Sequence, residues 1–178
     1  DAALAAARRS GDEITEAIVL SNRGIVLGYL GHTAAAERDM RRAEELFVSK
    51  EMELNAADAR HNRGFVAATA GNLALALQHY QVARLAYERL GVGRPNALQD
   101  EARALLEANL VDDAHRAALA AVTGLRAAGQ RSELGEALLL LAETSAAAGA
   151  PDERAATEAQ ALFEAQGRHG WSALAAFV

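Results

Sequence analysis

Asn22-Arg23-Gly24 returns further along the chain as Asn62-Arg63-Gly64, and these side chains are the ones whose type and spacing best suit chemistry. The groups that catalysis would draw on are scattered. Five histidines, His32, His61, His79, His115 and His169, fall at no HExxH or other compact metal-binding spacing. Cysteine is absent, which removes disulfides, thiolate metal ligands and a cysteine nucleophile from this segment. No glycine-rich loop is followed by Lys and Ser or Thr to cradle phosphate. The carboxylates lie among many arginines and read as solvated faces and ion-pair partners. The expectation is a non-enzyme with no catalytic residue, no metal and no cofactor.

The elements that hold those residues repeat with them. Gly31, Gly71, Asn109 and Gly149 follow one another at nearly equal intervals, and Gly91, Gly129 and Gly167 keep the same rhythm between them. Self-similarity at such a period marks stacked units, here about four copies of a helix-turn-helix. Ala and Leu dominate a chain that is 51% hydrophobic, while Pro is confined to Pro95 and Pro151, both at expected helix starts. An all-α fold follows. Residues 1–10 read as the end of a preceding repeat helix, 12–51 as repeat 1, 52–91 as repeat 2, 94–129 as repeat 3, 131–167 as repeat 4 and 169–178 as the start of a further helix. The segment therefore reads as a piece of a longer array.

Within the first unit Ile14, Ala17, Ile18, Val26, Leu27 and Leu30 recur at helical spacing, and Ala36, Met40, Ala43 and Phe47 form the stripe of the second helix. Ala76, Tyr80, Ala83 and Tyr87 replace that stripe in the next unit. The second helix of repeat 4 is shorter, and the loosest packing is expected there.

A net charge of -6 opposes binding to nucleic acid. No apolar run reaches the length of a membrane span, and the first ten residues lack the order of a signal peptide, so a cytoplasmic chain with no membrane partner is expected. The abundance of Ala and Arg suggests a GC-rich bacterial source.

The placement of small and aromatic residues resembles the tetratricopeptide repeat. Gly24, Ala36, Met40 and Ala43 match in the first unit and Gly64, Ala76, Tyr80 and Ala83 in the second, with Ala102, Ala114, Ala121 and Ala142 in the weaker copies. The period is longer than the family's usual one. The phrases ADARHNRGFVAATAGNLALALQHY and EALLLLAETSAAAGA resemble arrays in large actinobacterial proteins that carry a caspase-like CHAT peptidase domain.

The resemblance implies a right-handed α-solenoid of four hairpins, with partial helices at both ends, whose first helices line a concave groove for a peptide or partner domain. Asn22 and Asn62 would hold a ligand's backbone, and Asp100 and Leu140 take that position later. Ser21, Ile25 and Tyr29, then His61, Phe65 and Thr69, then Gln99, Arg103 and Glu107, then Leu139 and Glu143 would face the groove. Arg23 and Arg63 depart from the family pattern. Either they fork onto an acidic partner or Glu37, Glu44 or a neighbouring acid pairs them. Trp171 either packs on Phe163 or anchors a partner. The implied function is a protein-interaction scaffold that regulates an effector domain such as a CHAT peptidase. The alternatives are an array with no groove ligand that spaces domains or self-associates through its terminal helices, and a groove used as a small-molecule pocket.

Overall fold

The computed structural model describes residues 2–178, so Asp1, the first residue of the expected helix end at 1–10, lies outside the described residues. Helix-forming composition and periodicity give ten α-helices and no strand among the described residues: α1 Ala2–Ser10, α2 Glu13–Tyr29, α3 Thr33–Ser49, α4 Glu53–Thr69, α5 Leu73–Leu90, α6 Pro95–Glu107, α7 Val111–Ala127, α8 Arg131–Ala147, α9 Glu153–Ala165 and α10 His169–Ala175. None of them is long and apolar enough to cross a membrane. They fall into two compact units, one reaching to Val92 and the other Gly93–Val178. The first holds the hairpins α2–α3 and α4–α5, the second α6–α7 and α8–α9. Short α1 precedes the first unit's hairpins in sequence and short α10 follows the second's.

Each connection is a tight turn closed by one residue in the left-handed region. At the first of these between paired helices, Gly31 has φ 75°, its N–H donates to the Gly28 carbonyl, and the His32 N–H donates to that of Leu27. The same backbone conformation recurs at Glu51 (φ 57°) and Asn109 (φ 59°), where a side chain has replaced glycine. Pro95 occupies the first turn of α6, as expected. Pro151 does not start its helix. Asp152 caps α9, accepting from the N–H groups of Arg154 and Ala155, so the proline stands outside the first turn.

The first unit packs small residues of one helix against large ones of the next. A β-carbon on Gly64 would lie 2.5 Å from the Tyr80 ring, and one on Gly24 would lie 2.9 Å from the Met40 side chain. Ala36, Met40, Ala43 and Phe47 are buried, as are Ala76, Tyr80, Ala83 and Tyr87. The α2 stripe differs from expectation. Ala17, Leu20, Gly24 and Gly28 form its buried face, whereas Ile14, Ile18, Val26 and Leu30 are exposed. Close helix approach there is made by glycine rather than by branched side chains.

Repeat 4 is also not the loosest packing. In the second unit α8 buries Leu138, Leu139, Leu140 and Leu141, and Phe163 of the short α9 is fully buried against Gly135. A helix of 13 residues suffices because one ring fills the space opposite the glycine.

Candidate interaction face

The first helices α2 and α4 of the first unit pack side by side, with Gly28 at their contact. A β-carbon there would sit 3.0 Å from the Phe65 ring, so glycine is what lets that ring lie close against α2. Tyr29 follows in sequence and leans on Phe65, with ring centroids 4.9 Å apart and planes tilted by 53°. Tyr29 remains 76% exposed while Phe65 is half-buried, so the pair forms an aromatic ledge with its outer side in water. One turn away, His61 is tilted over Tyr80 at 4.9 Å. Asn22 is exposed and Asn62 half-buried. Of the residues expected to face a ligand, Asn22, Tyr29, His61, Asn62 and Phe65 therefore sit on two adjacent helices.

The two arginines are supported from inside. Arg23 forks onto Asp39 of α3, with Nε to Oδ2 at 2.6 Å and Nη2 to Oδ1 at 2.8 Å. That bond raises its pKa above the ordinary value, against the opposing pull of desolvation. Arg63 instead reaches back to α3, donating to Glu37 at 2.7 Å and to Glu44 at 2.8 Å. Burial pulls its pKa down, but the bonds to Glu37 and Glu44 together outweigh it and the net shift is upward. Glu44 also accepts from Arg60 Nε at 2.6 Å.

His79 completes this network. It is buried, its Nδ1 lies 3.5 Å from Arg60, and its Nε2 is enclosed without a hydrogen-bond partner. Burial, then the Arg63 and Arg60 charges, lower its pKa, with Glu37 and Glu44 opposing in part. The sequence names Glu37, Glu44 or a neighbouring acid as partners, and Asp39 is that neighbour, but it does not single out Arg60 and His79 as members of the network. The signal was available, since Asp39 and His79 stand at one repeat position in consecutive units.

The remaining expected residues lie in the second unit. Gln99 is half-buried on α6, and Arg103 donates to Glu143 of α8 at 2.9 Å. Leu139 is a correction: it was expected to face the groove and is fully buried, because α8 is apolar on nearly all sides. Trp171 packs on Phe163 at 5.6 Å between centroids, with the Arg168 guanidinium over both rings. Among the described residues no cluster of three or more acidic or histidine side chains is placed to hold a metal ion.

No family model matches the chain. No curated protein matches it either. Among solved structures it is similar to the crystal structure of BtubC (BKLC) from P. vanneervenii, with a TM-score of 0.76 at 16% sequence identity, covering 88% of this chain and 66% of that one. At that identity the likeness is one of fold, an all-helical repeat architecture.

Proposed function

We propose that this chain is a protein-interaction scaffold of the long-period tetratricopeptide type, and that the α2–α4 face of its first unit takes a peptide segment of a partner protein. The observation that carries the reading is the Tyr29–Phe65 ledge flanked by Asn22 and Asn62. An apolar side chain of the peptide lies on the ledge while the amides engage its backbone, donating and accepting at once. Arg23 and Arg63 hold the helices in register through their carboxylates rather than gripping the peptide. In the parent protein such a face regulates an effector domain such as a CHAT peptidase, in the cytoplasm. A chain with net charge -6 disfavours nucleic acid as the ligand.

The test is selection of a displayed random-peptide library on the immobilised chain, followed by affinity measurement with Tyr29→Ala and Asn62→Ala. Enriched peptides that share an apolar residue and lose about tenfold or more in affinity to either variant support the reading. Peptides indifferent to both variants, or no enrichment, contradict it.

A second reading is favoured by the exposure of Trp171, Leu174 and Phe177 at the carboxyl end, the last at 90%. A module that self-associates through this patch gains mass with concentration, and loses that behaviour when residues 171–178 are removed. A mass independent of concentration eliminates it.

A further inference from the structure

A cleft of about 850 Å³ lies in the first unit, lined by the end of α3, the start of α4 and the second half of α5. Its apolar surface is made by Ala56, Ala57, Ala83 and Ala86 together with Val48, Val82, Leu54 and Leu90. An ion pair lines it from each side, Glu44 with Arg60 and Glu53 with Arg89. None of these side chains belongs to the Tyr29–Phe65 ledge.

The repeat supplies its own comparison. One unit earlier, Glu44, Arg60 and Ala86 correspond to Leu4, Leu20 and Leu46. Those three leucines are buried together in one core cluster with Ala43 and Phe47. Leucine fills all three places at the junction of α1, α2 and α3, whereas at the junction of α3, α4 and α5 the Glu44–Arg60 pair takes two of them and Ala86 leaves the third open.

The surface around the opening is also changed. Val48, Val82 and, one turn from it, Leu85 are all exposed, at 62%, 50% and 52%. Their repeat equivalents are Glu88, Arg42 and Glu45. Solvated apolar side chains thus replace charged ones around this cleft, which is not the composition of an ordinary helix surface.

We propose that the cleft is a docking site for an amphipathic helix of a partner protein that inserts leucine-type side chains over Ala86. The filled junction names the side chain, since Leu46 occupies there the place that Ala86 leaves open. Charge complementarity sets the helix's polar flank. Glu44 and Glu53 are already held by arginines, and Glu51 in the α3–α4 turn adds a further carboxylate to the lining, so the helix carries a lysine or arginine beside its leucines.

The experiment uses a fluorescein-labelled synthetic helix with two leucines one turn apart and flanking lysines. Its controls are the same helix with the leucines replaced by serine and the same helix with the lysines replaced by glutamate. Anisotropy is read against the wild-type chain, Ala86→Leu, Val82→Glu and Tyr29→Ala. The leucine helix binds, the serine control binds about a hundredfold more weakly, the equivalent of losing two buried leucines, and the glutamate control about tenfold more weakly. Ala86→Leu fills the cleft as Leu46 fills its counterpart and weakens the leucine helix by a similar factor. Val82→Glu, at a position 50% exposed and with folding checked by its melting temperature, does the same, while Tyr29→Ala binds as wild type. Equal binding of the leucine and serine helices, or binding unchanged in both cleft variants, overturns the proposal. Equal binding of the lysine and glutamate helices overturns its charged half.

Discussion

Asp39 and His79 hold the same place in consecutive hairpins, and the exchange between them redirects an arginine. Arg23 forks onto Asp39 within its own hairpin, whereas Arg63, facing His79, turns to Glu37 and Glu44 of the preceding one. One substitution in the repeat thereby converts an ion pair inside a hairpin into a clasp between two hairpins. The consequences divide into stability and recognition.

The clasp predicts a pH dependence. In the folded state His79 has a pKa below its ordinary value of 6.5, so the unfolded chain takes up a proton at a pH where the folded one does not. The contribution is complete above the unfolded value and is lost as pH falls below it toward the folded value. Melting temperature should drop on going from about pH 7.5 to about pH 5.5. His79→Gln, which has no titrating group, should flatten that part of the profile. An unchanged slope would show that His79 does not carry it.

Removing the shared carboxylate should weaken the first unit. Glu44→Ala leaves Arg60 and Arg63 without a common acceptor, with Arg63 the more buried of the two. Because both guanidiniums keep some solvent, and Arg63 keeps Glu37, the cost should be about 2 kcal/mol, below that of breaking a fully buried pair. Urea denaturation gives the value directly, and a loss under about 0.5 kcal/mol would mean that the network is incidental to stability.

Two valines offer a test with its own control. Val66 is 2% exposed, because it packs with Ala36 and Met40 of the preceding hairpin, while Val26 at the equivalent position is 56% exposed. Val66→Asp should cost about 3 kcal/mol or more, since it buries a carboxylate among apolar groups, and Val26→Asp should fall within about 0.5 kcal/mol of wild type. Equal costs at the two sites would contradict the packing of α4 against the α2–α3 hairpin.

Glycine placement makes a fourth stability prediction. Gly64→Ala puts a methyl into the Tyr80 ring and should destabilise by about 1–3 kcal/mol. Glu51→Gly should stabilise by up to about 1 kcal/mol, because Glu51 already adopts the left-handed conformation that its side chain disfavours. Thermal melts of both variants, moving in opposite directions, check the pair.

The turns and helix boundaries were legible because Gly31, Gly71, Gly91, Gly129 and Gly149 each serve a backbone conformation, and such a requirement is written at a single position. Burial in α2 was less legible. Several of its large apolar residues, Ile14, Ile18 and Val26, are solvated, and half of its buried face is glycine, whose contribution lies in the Met40 and Phe65 side chains that reach it. The network had the same difficulty. Glu37, Glu44 and Arg63 are separated by up to 26 residues, and helical spacing alone does not say which side of α4 its arginine will cross. The buried Leu139 shows the converse limit, since a helix with apolar residues on nearly all sides gives no period from which to choose a face.

Peptide recognition by the α2–α4 face is tested most directly by amide chemical-shift mapping of the chain during titration with a peptide selected for binding. Perturbations are expected to gather on α2 and α4 around Asn22, Tyr29, His61, Asn62 and Phe65. Perturbations confined to other helices, or saturating binding that leaves those five residues unmoved, would contradict it.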